Sequence, residues 1–324
     1  MPHDGVPHHG PDGSAAADSS SEWRHTQMRM KGVFTALLTP FGADGSVDIP
    51  ALQTLVRHVV GAGGEGLVPL GTTGEGYAVT AAERAEILRA VREAADPSTI
   101  LIAGATEITT RDAIADATLA AELGYHAVMI AAPPYVLPDP IELAEHFRAV
   151  AKASKLPVIL YDYPARAGVS IGADCLDLLV DEPLVIAVKE ASGDLGRMIR
   201  LRQRYADRYQ FICGADSLIL DFVLWGAEAW IAGTSNVLPR EHSELLALAR
   251  AGRTAEARTA LENLLPILLS MEEGGYTHKI RAALQQIGLP AGHARRPLRD
   301  DQHPLPADVV ELLTHHQLIA LPTD

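Results

Sequence analysis

A short apolar run followed by a helical pattern recurs eight times after Gly32 in this chain of 324 residues. The runs are Val33–Leu38, Gly66–Leu70, Thr99–Ala103, His126–Ala131, Pro157–Tyr161, Leu184–Val188, Gln210–Cys213 and Ala229–Ala232. They are near-continuous rather than alternating, the mark of strands buried on both faces in a parallel sheet. Between them, Asp48 caps a helix through Val60. Thr80, with Glu83 in capping-box position, opens another to about Ala94. Further helices run from Thr110 to Leu123, closed by Gly124, and from Pro140 to about Ala153. Others begin at Ala173, span Asp194–Tyr205, end at Trp225 and open at Pro239. Eight such units predict an α/β fold, a closed (β/α)8 TIM barrel. An open doubly wound sheet is the alternative, but its G-x-G-x-x-G turn after the first strand is missing.

The pattern is helical alone after about residue 254, over Thr254–Met271, Thr277–Gln286 and Ala307–Leu318. Residues 1–30, rich in Gly, Pro, Ser, Asp and His, read as a disordered leader. The expected organisation is therefore a leader over 1–30, a barrel over 31–253 and a C-terminal helical extension over 254–324. The formal net charge of −14 argues against a nucleic-acid or anionic-membrane surface, which needs basic patches. No apolar run is long enough for a membrane span. Cys175 and Cys213 lie in apolar surroundings without metal spacing and read as reduced core thiols of a cytoplasmic protein.

In a barrel of this kind the site lies at the C-terminal ends of the strands. There the sequence collects Thr39, Thr72, Thr73, Glu75, Tyr135, Tyr161, Arg166, Lys189, Ser235 and Asn236. Lys189 ends the sixth strand. Burial disfavours its charged form, and a neutral lysine amine attacks ketones and aldehydes to give a Schiff base. The turn Gly71-Thr-Thr-Gly-Glu75 can present amides and hydroxyls to a carboxylate or phosphate. The phenol of Tyr161 can pass a proton, and Arg166 can hold a carboxylate. Taken singly, each has a plainer reading. Lys189 can snorkel or pair with Glu190, the turn can be an ordinary strand-to-helix connection, and Tyr161 can fill the top barrel layer. Arg166 can be a surface residue, and Tyr135 an aromatic at a subunit contact. Their convergence on one mouth favours the chemical reading.

Gly71-Thr-Thr-Gly-Glu75, Tyr161-Asp-Tyr-Pro-Ala-Arg166 and Val188-Lys-Glu-Ala-Ser-Gly193, in this order, resemble the dihydrodipicolinate synthase / N-acetylneuraminate lyase family of class I aldolases. Gly214-Ala-Asp-Ser217 and the stretch Gly226 to Asn236 resemble the family's last two strands, and the likeness covers about residues 31 to 300. The resemblance implies that Lys189 forms the Schiff base with pyruvate or another 2-oxo acid. It implies that Tyr161 is the acid/base group, with Thr72 in its proton relay, and that Thr73, Gly74 and the turn amides hold the carboxylate. By the same resemblance Tyr135 is lent to a neighbouring subunit of a homotetramer, and Ile231 sets its carbonyl near the imine. No metal or organic cofactor is implied. Arg166 falls where the synthases bind the carboxylate of the aldehyde.

The expected function is a pyruvate-dependent Schiff-base lyase that condenses pyruvate with an acidic aldehyde, as a dihydrodipicolinate synthase does. Pro134, Gly76-Tyr77 and Gly233-Thr-Ser-Asn236 depart from the typical synthase pattern. They keep open an aldolase or dehydratase of a 2-oxo sugar acid or 4-hydroxy-2-oxo acid. A barrel that only binds 2-oxo acids is the non-enzymatic alternative.

Overall fold

The computed structural model describes residues 28–299 and 303–315. Eight parallel strands close into a barrel in chain order, with the last hydrogen-bonded to the first. They are β1 (Gly32–Thr35), β2 (Gly66–Leu67), β3 (Ile100–Gly104), β4 (Ala127–Ala131), β5 (Val158–Asp162), β6 (Val185–Glu190), β7 (Gln210–Cys213) and β8 (Ala229–Ala232). The helices of the barrel are α1 (Ile49–Gly61), α2 (Ala81–Ala94), α3 (Thr110–Glu122), α4 (Pro140–Ser154), α5 (Pro164–Ala167), α6 (Ala173–Leu178), α7 (Leu195–Tyr205), α8 (Ile219–Leu224) and α9 (Pro239–Arg250). After them α10 (Thr254–Glu272), α11 (Tyr276–Gln286) and α12 (Ala307–His315) form the C-terminal extension.

The fold is the TIM barrel that the rhythm implies. One apolar cluster fills the barrel with Phe34, Val68, Ile102, Met129, Ile159, Ile212 and Ile231. A second, larger one lies between the strands and the ring of helices. Strands sandwiched between these two layers must be apolar on both faces, which is why their sequences do not alternate. The helix starts follow from local hydrogen bonding. Asp48 accepts from the Ala51 amide, and Thr80 with Glu83 forms a complete capping box. Gly124, at φ +74°, takes the left-handed turn that ends α3.

Several boundaries differ from the sequence expectation, each for a local reason. The first strand ends at Thr35 rather than Leu38, because the Asn236 side chain captures the Leu38 amide and the Ala36 carbonyl. The second ends at Leu67 rather than Leu70. Pro69 has no amide to give a ladder, and Leu70 turns the chain at φ +60°. The four-residue α5, opened by Pro164 and closed by Gly168, is a helix that the sequence reading does not include. The leader expected over 1–30 lies outside the described residues as far as residue 27, as does the end of the helix expected to reach Leu318. Met30 belongs to the fold. It is buried at the foot of the barrel, where its amide and carbonyl are both bonded by the Gln210 side chain.

The extension is fastened to the barrel mouth by buried charge. Arg281 on α11 pairs with Glu75, and the same guanidinium bonds the carbonyls of Thr39 and Ala291. Both partners are almost fully buried. Replacing Arg281 by Met leaves a buried carboxylate without its cation, so the unfolding free energy in a urea titration falls by about 3–5 kcal/mol. The double variant Glu75→Gln/Arg281→Met removes both charges and regains most of that loss.

Candidate active site

A cavity of about 410 Å³ opens at the C-terminal ends of the strands. It brings together Thr72, Thr73, Tyr161, Arg166, Lys189 and Ile231. Lys189 and Tyr161 are paired across β6 and β5, so both side chains point to the same face of the sheet, into the barrel. The Lys189 ammonium lies 4.2 Å from the centre of the Tyr161 ring. Neighbouring residues of a strand point to opposite faces. Glu190 therefore faces away, toward Arg197 at 3.0 Å, and the plain pairing of Lys189 with Glu190 does not occur.

Burial sets the electrostatics. Loss of water pulls the Lys189 amine down from its ordinary 10.5 to about 8, although Asp216 opposes the shift. Burial pushes the Tyr161 phenol well above its ordinary value, against a hydrogen bond from Thr72 that favours the phenolate. The site thus holds a lysine that is partly a free amine near neutrality beside a phenol that keeps its proton. Such a pair suits attack on a carbonyl followed by proton transfer.

The turn at Gly71–Gly76 is built backbone against backbone. A Cβ on Gly74 would stand 2.7 Å from the Leu37 carbonyl oxygen, and one on Gly76 would stand 2.1 Å from that of Leu70. Only glycine fits there. Gly74 lies beneath the cavity, outside its lining, and its carbonyl accepts from the Thr39 hydroxyl at 2.7 Å. Thr72 and Thr73 remain at the surface of the turn, toward the lysine. Glu75 is not a site group, being turned away and held by Arg281. Ser235 and Asn236 are struts as well. Ser235 bonds Thr35 and the Ala232 carbonyl, and Asn236 ties the end of β1.

Tyr135 stands apart. It is 91% exposed on the connection after β4, at φ +75°, and does not line the cavity of its own chain. Arg166 is exposed on α5, its guanidinium 5.9 Å above the Tyr163 ring at the cavity rim. Three groups that the sequence did not single out enter the site. Asp216 follows β7 and is buried, and Tyr276 reaches it from α11 with a 2.6 Å hydrogen bond. Glu272, at the end of α10, accepts from the amide and hydroxyl of Ser217 at the rim. Asp216 carried a signal in the Gly214-Ala-Asp-Ser turn. Tyr276 and Glu272 carried none, because only the docking of the extension brings them near.

Comparison with known proteins agrees with this geometry. The model of the dihydrodipicolinate synthetase family matches residues 29–315. A 4-hydroxy-tetrahydrodipicolinate synthase of Sorangium cellulosum is 39% identical over 277 residues, which is 84% of this chain and 91% of that one. A second, from Streptomyces coelicolor, is 37% identical over 82% of this chain and 88% of its own. Among solved structures, the 4-hydroxy-tetrahydrodipicolinate synthase of Methylacidiphilum fumariolicum superposes with a TM-score of 0.82 at 30% identity, covering 89% of this chain and 94% of that one. The dihydrodipicolinate synthase of Acinetobacter baumannii, solved in complex with pyruvate, gives 0.82 at 29% identity, with 89% and 97% covered. With most of its length matched by the family model and by relatives of this similarity, the chain belongs to the dihydrodipicolinate synthetase family.

Proposed function

We propose that this chain is a pyruvate-dependent Schiff-base lyase that condenses pyruvate with an acidic aldehyde, the reaction class of its relatives named 4-hydroxy-tetrahydrodipicolinate synthase. The observation that carries the reading is the partly neutral Lys189 amine, buried against Tyr161 and facing Thr72 and Thr73. The amine adds to the pyruvate ketone, and loss of water leaves an iminium. The iminium is an electron sink, so the pyruvyl methyl gives up a proton and becomes an enamine carbon. That carbon bonds to the aldehyde carbon, and the resulting alkoxide takes a proton. Hydrolysis or displacement of the imine returns the amine. Tyr161 moves the protons, with Thr72 as its relay. Thr73 and the turn amides hold the pyruvate carboxylate, supported from below by Gly74, and the Ile231 carbonyl lies near the imine. Arg166 at the rim receives the aldehyde's carboxylate.

A homotetramer fits this reading. Tyr135, Val136, Leu137 and Ile141 expose large apolar side chains on and just after the β4–α4 connection, and a second subunit would cover them. Tyr135 would then serve the neighbour's site. Among the described residues no helix is long and apolar enough to cross a membrane, and both cysteines are free and buried. A cytoplasmic location is consistent with both. One observation favours the second reading, an aldolase or dehydratase of a hydroxylated 2-oxo acid. Ser192, Ser217 and Glu272 line the rim and could bind substrate hydroxyls.

Borohydride with pyruvate should fix a pyruvyl group on Lys189, found by peptide mapping. Because the amine becomes mostly free above about pH 8, the trapping rate should climb through that value and level off, whereas an exposed lysine would climb past 10. An adduct on another residue, or none, would count against the reading. Tyr161→Phe should still be trapped yet lose about 10²–10⁴-fold in turnover. Arg166→Ala should raise the KM for the acidic aldehyde by about 10- to 100-fold, with the pyruvate KM unchanged. If it instead left that aldehyde unaffected while the enzyme split 4-hydroxy-2-oxo acids, the second reading would replace the first. Leu137→Asp should yield smaller species in sedimentation and lower turnover, while pyruvate trapping persists.

A further inference from the structure

From Asp216, which lines the cavity together with Lys189, a chain of buried polar groups runs toward α9. Asp216, only 3% exposed, accepts from the Trp230 indole at 2.9 Å through one oxygen. Its other oxygen meets the Tyr276 hydroxyl at 2.6 Å and the Thr234 hydroxyl at 3.1 Å. The Thr234 hydroxyl also lies 2.7 Å from Nε2 of His242, a fully buried ring stacked 4.6 Å from that of Trp230. The Nδ1 of the same ring stands 2.6 Å from the Leu238 carbonyl.

The protons in this chain can be counted. A carbonyl only accepts, so Nδ1 of His242 carries a proton. Neutral His242 then has a bare Nε2 that can only accept. Tyr276 accepts from the Gly233 amide at 3.1 Å, so its own proton goes to Asp216. If Asp216 is ionised and His242 neutral, Thr234 has one proton and two acceptors, both at hydrogen-bond distance. One further proton, on Asp216 or on His242, satisfies every contact. The chain is one proton short in its ordinary ionisation state.

The ionisable groups facing Asp216 are Lys189 on β6, Cys213 on β7 and Tyr276 on α11, with Tyr161 on β5 beyond. His242 on α9 joins through Thr234. Burial alone pushes Asp216 upward and pulls His242 down to about 4, so neither holds its charge easily. Lys189 has the opposite need. It must shed a proton to attack a ketone, and a proton must return to expel the carbinolamine hydroxyl as water.

From this we infer that the Asp216–Thr234–His242 chain is the proton store of the Schiff-base step. The Lys189 ammonium, which shares the cavity wall with Asp216, passes one proton to the chain; the free amine adds to the ketone carbon, and a proton moves from its nitrogen to the oxygen to give the carbinolamine. The chain then returns the proton to the carbinolamine oxygen, water leaves, and the iminium forms opposite an ionised Asp216. No proton is exchanged with solvent, and no other reactant is needed. Asp216 is the member of the chain that lines the cavity and meets the reacting atoms; Thr234 and His242 act through it as positioning residues, and Tyr276 holds it in place. This rests on the Schiff-base reading of Lys189.

The test is the pH profile of pyruvate trapping by borohydride in the full-length protein. In His242→Leu the Nε2 acceptor is gone, so the Thr234 proton goes to Asp216 and the chain is complete without a spare place. Lys189 must then lose its proton to solvent against a permanent carboxylate. Trapping should slow about tenfold near pH 7 and match the wild type near pH 9.5, an upward shift of about one unit in midpoint. Asp216→Asn should shift the midpoint downward and weaken imine occupancy at saturating pyruvate. Thr234→Ser, which keeps the hydroxyl, should retain the wild-type profile. A merely structural role would lower thermal stability or slow trapping equally at both pH values. That outcome, or coincident midpoints in all variants, overturns the inference while the wild-type adduct stands. Absence of a wild-type adduct overturns the Schiff-base reading beneath it.

Discussion

Desolvation of one ammonium organises this molecule. A lysine at the rim of an open sheet would keep its water and its charge. Here β8 closes on β1, the interior fills with Phe34, Ile102, Met129 and Ile159, and Lys189 is left on top of an apolar plug. Its head can go only into the cavity, against the Tyr161 ring. Burial of a cation favours its neutral form, and that form is the nucleophile. In the proposed Schiff-base chemistry the closed barrel is thus the cause of the amine's reactivity as well as its support. The acidic side chains nearby do not cancel the effect. Glu190 and Asp162 are turned outward and neutralised by Arg197, which leaves Asp216 as the carboxylate that faces the amine.

Much of this was legible in the chain itself, for a physical reason. Strands covered on both faces and helices capped by Asp48, Thr80 and Gly124 declare themselves locally, because their determinants lie within a few residues. Lys189, Tyr161 and the Gly71–Glu75 turn could be ranked together because barrel topology sends the end of every strand to one mouth. What could not be read depends on contacts between distant parts. Glu75 looked like a site group until Arg281, more than two hundred residues away, was found to hold it. Tyr276 and Glu272 lie on helices whose own sequences say only that they are helices. Ser235 and Asn236 are polar at the mouth yet spent on fixing the end of β1, which also explains why that strand stops early. Tyr135 is exposed and does not line the cavity of its own chain.

The C-terminal extension is the less obvious half of the site. In a plain barrel the connections after the strands would carry all of the chemistry. Here the end of α10, the turn after it and the start of α11 supply Met271, Glu272, Gly274, Gly275 and Tyr276 to the cavity wall. Differences in this turn would alter the outer pocket while leaving Lys189 and its neighbours in place. Members of such a family can therefore share the pyruvate half of a reaction and diverge in the second substrate.

The Arg281 contact also has a meaning in time. This one guanidinium binds Glu75 and the Thr39 carbonyl, residues that leave the ribosome long before it. All eight strands can be synthesised and can begin to pair while the Gly71–Glu75 turn still lacks its anchor and Asp216 still lacks Tyr276. Protein synthesis runs at about 5–20 residues per second, so the interval between the last strand and α11 amounts to several seconds. During that interval Asp216 and Glu75 lack the α11 contacts that hold them in the finished fold. A chain that stops between Ala232 and Tyr276 therefore has every strand of the barrel but neither the anchor of the Gly71–Glu75 turn nor the Tyr276 contact to Asp216.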